Sequence, residues 1–265
     1  MYGAILGDIV GSPYEHDKGE KSKQFEFWNK YCRPTDDTIM TLAVCSGLLR
    51  AGLDADDFKI KQYVAGSMHY WGKKYPNAGY GSAFKEWLEV ESFMPYGSYG
   101  NGSAMRVSSV GWLFNNIDRV RHVARLTASV SHDHPEGIKG AECVAAVIFL
   151  ARTRHTKNSI KKYVINNFGY DLSRTCDEIR PTYKHDGSCQ GTVPEAITAF
   201  LEGTDFEDVI RTAVSLGGDT DTLACIAGGM AEAFYGIPPR MKIEVKNRLN
   251  RDGLRVCEEF EANKK

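Results

Sequence analysis

The chain has 265 residues, with 33 Lys plus Arg against 34 Asp plus Glu and a formal net charge of −1. That balance excludes a broad positive field that would draw the chain onto a nucleic-acid backbone or an anionic membrane. The length is enough for one large domain spanning 1–265. No basic residue precedes the first apolar stretch, MYGAILGDIV, and no run of about 18 apolar residues occurs anywhere. The chain is therefore expected to be neither membrane-spanning nor exported, and to work in the cytoplasm. Its seven cysteines (Cys32, Cys45, Cys143, Cys176, Cys189, Cys225, Cys257) are odd in number and scattered, with no Cys-x-x-Cys pair. That pattern fits buried thiols in a reducing compartment better than a disulfide framework or a zinc knuckle.

Taken in order, the apolar-periodic segments follow helical spacing, without a convincing alternating strand, so the expected class is all-α. A short first helix ends at the glycines and proline of Gly7-Asp8-Ile9-Val10-Gly11-Ser12-Pro13, which leaves Glu15 in a turn. Ile39, Leu42, Ala43, Leu48 and Leu49 give an apolar face that closes at Gly52, so 36–50 should be helical. Further helices are expected near 55–73, 81–90, 103–114, 118–130, 136–153, 157–167, 192–202, 205–215, 221–235 and 239–250, with Gly or Pro between most of them. The stretch 169–191, rich in Asp, Ser, Thr, Arg and Gly, is expected to be a surface loop whose tip can border a cleft. No repeat or coiled coil is visible, and a monomer is the expectation.

Two clusters carry the chemistry. Thr35-Asp36-Asp37-Thr38 and Asp219-Thr220-Asp221-Thr222 each open a helix, where Asp and Thr ordinarily cap free N–H groups and favour the positive dipole end. Capping needs one acceptor, yet each cluster has two carboxylates and two hydroxyls. Crowded carboxylates are relieved by protonation or by a bound cation. Hard oxygen donors suit Mg²⁺ or Mn²⁺ rather than zinc, and four carboxylates plus Glu15 are enough for two ions sharing a ligand, an arrangement that can activate water.

Elsewhere, Gly97-Ser98-Tyr99-Gly100-Asn101-Gly102-Ser103-Ala104-Met105-Arg106 can turn backbone N–H groups toward an anion such as a diphosphate, or be an ordinary loop and helix start. Tyr99 can stack on a nucleobase or serve as a loop anchor. Ser131-His132-Asp133-His134-Pro135 offers either ligand contacts or a plain Pro-led helix start. Neither a Gly-x-Ser-x-Gly elbow nor a Walker-type loop is present, which disfavours serine nucleophilic catalysis and ATP hydrolysis.

These five signatures, from Gly7-Asp8 through Tyr14-Glu15 to Gly217-Gly218-Asp219-Thr220-Asp221-Thr222, together resemble the ADP-ribosylglycohydrolase family over most of the chain. The resemblance implies an orthogonal bundle of helices with a binuclear magnesium centre at the base of an ADP-ribose cleft. It implies Thr35, Asp36, Asp37, Asp219, Asp221 and Thr222 as metal ligands, with Asp221 bridging. Ser98, Tyr99, Gly100, Asn101 and Gly102 match the loop that holds the diphosphate and adenosine, and His132 matches a histidine lining the pocket. Glu15 matches a glutamate that can approach the metals and move to admit substrate, and it is the acidic group expected to assist proton transfer; Asp36, Asp37, Asp219 and Asp221 are implied to be essential to catalysis. The implied substrate carries ADP-ribose on a protein side chain, a small molecule or a nucleic acid. A catalytically silent binding or structural member of the fold, and a different two-metal nucleotide hydrolase such as a phosphatase, are the competing readings.

Overall fold

The computed structural model describes residues 1–16, 21–90 and 94–265, and among them the regular structure is helical, with one isolated antiparallel bridge between Gly100 and Ser188. In chain order the helices are α1 (Tyr2–Gly11), α2 (Asp36–Ala51), α3 (Asp57–Lys74), α4 (Ser82–Glu89), α5 (Gly102–Met105), α6 (Val110–Leu113), α7 (Ile117–Ala128) and α8 (Pro135–Arg152). There follow α9 (Lys157–Phe168), α10 (Cys176–Ile179), α11 (Cys189–Glu202), α12 (Phe206–Val214), α13 (Thr220–Tyr235), α14 (Pro239–Arg248) and α15 (Arg251–Asn263). The all-α expectation holds, and among the described residues no helix is long and apolar enough to cross a membrane.

The organising contact is between α1 and α13, which run antiparallel with all ten residues of α1 buried. Gly3, Gly7 and Gly11 recur every fourth residue and so share one face of α1. A Cβ on Gly7 would lie 1.9 Å from the Ala224 carbonyl oxygen, and one on Gly3 would lie 2.2 Å from that of Gly228. With no side chains between them, the two backbones nearly touch, and the carboxy-terminal end of α1 arrives at the start of α13. The Thr220 hydroxyl donates to the Gly11 carbonyl at 2.9 Å, closing that end. Around α13 pack α8, α11 and α12, while α2 lies against α1 and α3. Helix starts follow ordinary capping: Asp56, Asn116, Thr156 and Asp205 each accept a first-turn N–H, and Gly169 ends α9 in the left-handed conformation.

Three expectations need correction. The segment 103–114 is not one helix but two single turns, α5 and α6, separated where the fully buried Arg106 side chain turns inward. Close packing fixes the second turn, since a Cβ on Gly111 would meet Ile148 at 2.6 Å. Within the supposed loop 169–191 lies the short helix α10, fixed by a reciprocal capping box between Thr175 and Glu178, and α11 already begins at Cys189, capped by Ser188. The helix expected over 239–250 ends at Arg248, and a new helix, α15, starts after the Asn250 cap; its charged surface hides an apolar stripe of Val256, Cys257 and Phe260.

Candidate active site

At the meeting of α1, α2 and α13 the two acidic clusters come together. The Thr222 hydroxyl donates to Asp37 Oδ2 at 3.2 Å across 185 positions of sequence. Ligand oxygens of Asp8, Asp37 and Asp221 lie within 4.8 Å of one another, and so do those of Glu15, Asp219 and Asp221. Asp221 thus belongs to two adjoining triads, the position the resemblance gives to a bridging ligand. Both α2 and α13 direct their amino-terminal ends here, and these partial positive charges favour carboxylates without neutralising them.

Asp8 is a member that the sequence reading quoted in the first signature but gave no role. It is fully buried, and its carboxylate accepts from the Thr35 backbone at 2.9 Å, the Thr35 hydroxyl at 2.6 Å, the Thr38 backbone at 3.0 Å and the Thr38 hydroxyl. Helix α1 thereby holds the first turn of α2 in place. The signal was available, since Asp8 is the one charged residue in an otherwise apolar helix. Thr35 has a double task, donating to Asp8 while capping Asp37 N–H at 3.3 Å.

No carboxylate of this group forms an ion pair with Lys or Arg among the described residues, and Asp37 Oδ1 is buried with no hydrogen-bond partner. Burial, then the neighbouring charges, raise the carboxyl pKa values. Asp36 rises to about 7, with Asp8 the leading neighbour, and Asp37 and Asp221 rise well above the ordinary range. Asp8 is pushed up to about 6 by burial, against the pull of its four hydrogen bonds. An orphaned buried oxygen within a set of hard, mutually repelling donors fits a divalent cation such as Mg²⁺ or Mn²⁺, which would favour the ionised forms.

Above the acidic base opens a cavity of about 470 Å³. Glu15, Asp36, Asp37, Asp219, Asp221 and Thr222 line its floor, and Ser98, Gly100, Asn101, Gly102 and His132 line its wall. Asn101 joins wall to floor, its amide donating to Asp219 Oδ2 at 2.7 Å and to Thr192 Oγ1 at 3.0 Å. The wall is also tied to the 186–189 segment, with Asn101 N–H donating to the Gly187 carbonyl at 2.8 Å and Cys189 N–H to that of Tyr99 at 2.9 Å. The tip of the 169–191 region, including His185 and Gly187, therefore does border the cleft. Tyr99 stands apart from the lining: 53% exposed, it meets His134 edge-on at 5.5 Å.

His132 is oriented from behind. Arg106, 1% exposed and without a carboxylate partner among the described residues, donates to Ser131 Oγ at 2.9 Å and to the Thr127 carbonyl at 3.2 Å. Ser131 Oγ lies 2.8 Å from His132 Nδ1. With the guanidinium donating to Ser131 Oγ and no other acceptor at hand for the serine proton, the arrangement that satisfies every group has Ser131 donating to Nδ1 and His132 carrying its own proton on Nε2. That nitrogen faces the cavity, where a Cβ on Gly102 would stand 3.0 Å from it. Burial and then the Arg106 charge hold the imidazole pKa well below its usual value, so the ring is neutral and offers a single N–H donor.

Comparison with known proteins shows the family. The chain is similar to the ADP-ribosylhydrolase ARH3 of Homo sapiens, 28% identical over an alignment covering 89% of this chain and 84% of that protein, and to that of Gallus gallus, 26% identical with 90% and 86% covered. It also resembles a putative ADP-ribosyl glycohydrolase of Acanthamoeba polyphaga mimivirus, 24% identical with 89% and 85% covered. Among solved structures, an ADP-ribosylglycohydrolase-related protein complex shares the fold with a TM-score of 0.70 at 23% identity, covering 97% of this chain and 95% of that one. The family model described as ADP-ribosylglycohydrolase matches residues 1–264, and the chain belongs to that family of hydrolases.

Proposed function

We propose that this chain releases ADP-ribose from a modified acceptor by cleaving the glycosidic bond at the distal ribose, with two Mg²⁺ ions held at the base of the cleft. The observation that carries the reading is the joining of Asp37 to Thr222, and of both clusters through Asp221, beneath a cavity large enough for a nucleotide-sized ligand. Thr35, Asp36, Asp37, Asp219, Asp221 and Thr222, with Asp8 behind them, would hold the ions. Bound there, the ions would anchor ribose hydroxyls and make a water more acidic.

The chain's own residues supply the rest. His132 donates its Nε2 proton to an anionic ligand atom, and the glycines at 100 and 102 keep that approach open. Asn101 fixes Asp219, so the wall that binds the diphosphate and the acidic floor keep one spacing. Glu15, in a turn beside Asp219 and Asp221, is placed to take a proton from the attacking water or return one to the leaving group as an oxocarbenium-like transition state develops. Seven free thiols suit a reducing cytoplasm, and we take residues 1–265 as one domain acting as a monomer.

The test is release of free ADP-ribose from arginine-, serine-, O-acetyl- and nucleobase-linked substrates, with and without Mg²⁺. Release from one linkage, dependent on Mg²⁺ and lost in Asp221→Asn, supports the proposal. Binding of ADP-ribose without turnover marks a silent member of the family, and release of phosphate instead marks a phosphatase.

A further inference from the structure

A second cluster sits at the mouth of the cleft and shares with the scheme above only Glu15. His16 follows Glu15 and adopts a left-handed backbone, φ 61°, while its N–H donates to the Gly218 carbonyl at 2.9 Å. His185 reaches the same glycine from the other side: a Cβ on Gly218 would lie 3.0 Å from His185 N. Two separate segments thus meet at one backbone point. Their rings approach to 4.7 Å between centroids, His16 Nε2 lies 3.3 Å from Glu15 Oε1, and one ligand atom from each of Glu15, His16 and His185 falls within 4.8 Å of the other two.

Two imidazoles and a carboxylate form a borderline-soft donor set, unlike the all-oxygen floor. Such a set suits zinc or a neighbouring transition ion and leaves a fourth position for water. Both histidine side chains reach solvent, so an ion can enter without opening the fold. Glu15 is common to this cluster and to the inner triad with Asp219 and Asp221, and one carboxylate does not serve both fully.

We propose that Glu15, His16 and His185 form a separate site for a zinc-class transition-metal ion at the mouth of the cleft, and that filling it draws Glu15 away from Asp219 and Asp221. The first half stands on the cluster alone, whereas the inhibitory consequence rests on the hydrolase reading. An occupied mouth both narrows entry to the cavity and removes the group placed for proton transfer.

The experiment is calorimetric titration of tag-free protein with Zn²⁺ in the presence of saturating Mg²⁺, repeated with Co²⁺ to read the ligand field from its visible absorption. The wild-type protein should take up Zn²⁺ and give the strong visible bands of a four-coordinate cobalt site. His16→Asn keeps a residue that tolerates the left-handed backbone, and His185→Gln keeps bulk at an exposed position, so both variants should fold, as circular dichroism would verify. Each should weaken Zn²⁺ binding by at least ~100-fold, since loss of a ligand exceeds the effect of losing an outer partner. Asp221→Asn should leave this binding in place. Zinc binding that survives both histidine variants but disappears in Asp221→Asn would put the ion in the acidic floor and overturn the proposal, as would no binding at all. With a substrate in hand, Zn²⁺ should lower wild-type turnover at fixed Mg²⁺ and lose that effect in the double histidine variant. A protein without turnover would refute the hydrolase reading, while the titrations still decide the zinc site.

Discussion

Replacing Asp37 by Asn should make the metal-free protein more stable and abolish its stabilisation by Mg²⁺. Asp37 lies no more than 4.8 Å from ligand oxygens of Asp8 and Asp221, with no Lys or Arg paired to the group among the described residues. At an effective dielectric constant of ~20, each like-charge pair at that separation costs about 3.5 kcal/mol. Proton uptake relieves part of this, because the carboxyl pKa values of Asp37 and Asp221 are held high. The gain remaining near neutral pH is therefore about 1–3 kcal/mol, or several degrees in Tm for a chain of this size. The substitution conserves volume. The Asn carbonyl can still accept from Thr222, and its amide replaces the oxygen that has no partner. Differential scanning calorimetry in chelator and then in millimolar Mg²⁺ measures both effects. Wild-type protein should gain a large upward shift on adding Mg²⁺, and the variant should start higher and shift little. An Asn variant less stable in chelator than wild type, or one with an undiminished Mg²⁺ shift, would refute the account of the floor as a repulsive, cation-demanding cluster.

Other outcomes follow from the same geometry. Because Asp8 rises from 3.8 to about 6 on folding, the folded state holds protons that the unfolded state has released, so its contribution is complete below pH ~4 and is lost as pH rises through 6. Metal-free protein should consequently lose stability between pH ~4 and 7, and apparent Mg²⁺ affinity should fall below pH ~7 as Asp36 takes up its proton, which titration calorimetry across that range would reveal. Gly7→Ala drives a methyl against the Ala224 carbonyl and should cost about 1–3 kcal/mol or more in urea unfolding, with weaker Mg²⁺ binding because Asp8 and Asp221 are forced apart. Ser131→Ala removes the proton donor to His132 Nδ1. Nitrogen NMR should then show a mixture of imidazole tautomers, and KM should rise several-fold, on the scale of one hydrogen bond of ~1 kcal/mol, with kcat little changed.

Much of the site is written in local patterns. Asp36, Asp37, Asp219 and Asp221 stand out because each cluster holds more acceptors than a helix start uses, and the structure brings them together. The helices with plain apolar faces and clear caps, such as α2, α8 and α13, lie within about two residues of their expected bounds. What escaped depends on tertiary partners. Asp8 and Arg106 are quoted within signatures but gain a role only when Thr35 and Thr38 are seen around the first and Thr127 and Ser131 accept protons from the second. His185 is an ordinary loop residue by sequence, and only the fold brings it beside His16. Tyr99, chosen for its glycine neighbours, illustrates the reverse, since a flexible setting did not say which way the ring would face.

The glycine-lined seam between α1 and α13 also bears on how the chain is made. Of these helices α1 leaves the ribosome first, yet the surface it must cover is synthesised some two hundred residues later. Through that interval a helix destined for complete burial has α2 beside it but lacks its main partner, the condition under which nascent chains associate wrongly. Late, cooperative closure of the seam is the expected counterpart in folding of an acidic cluster assembled from segments so far apart in sequence.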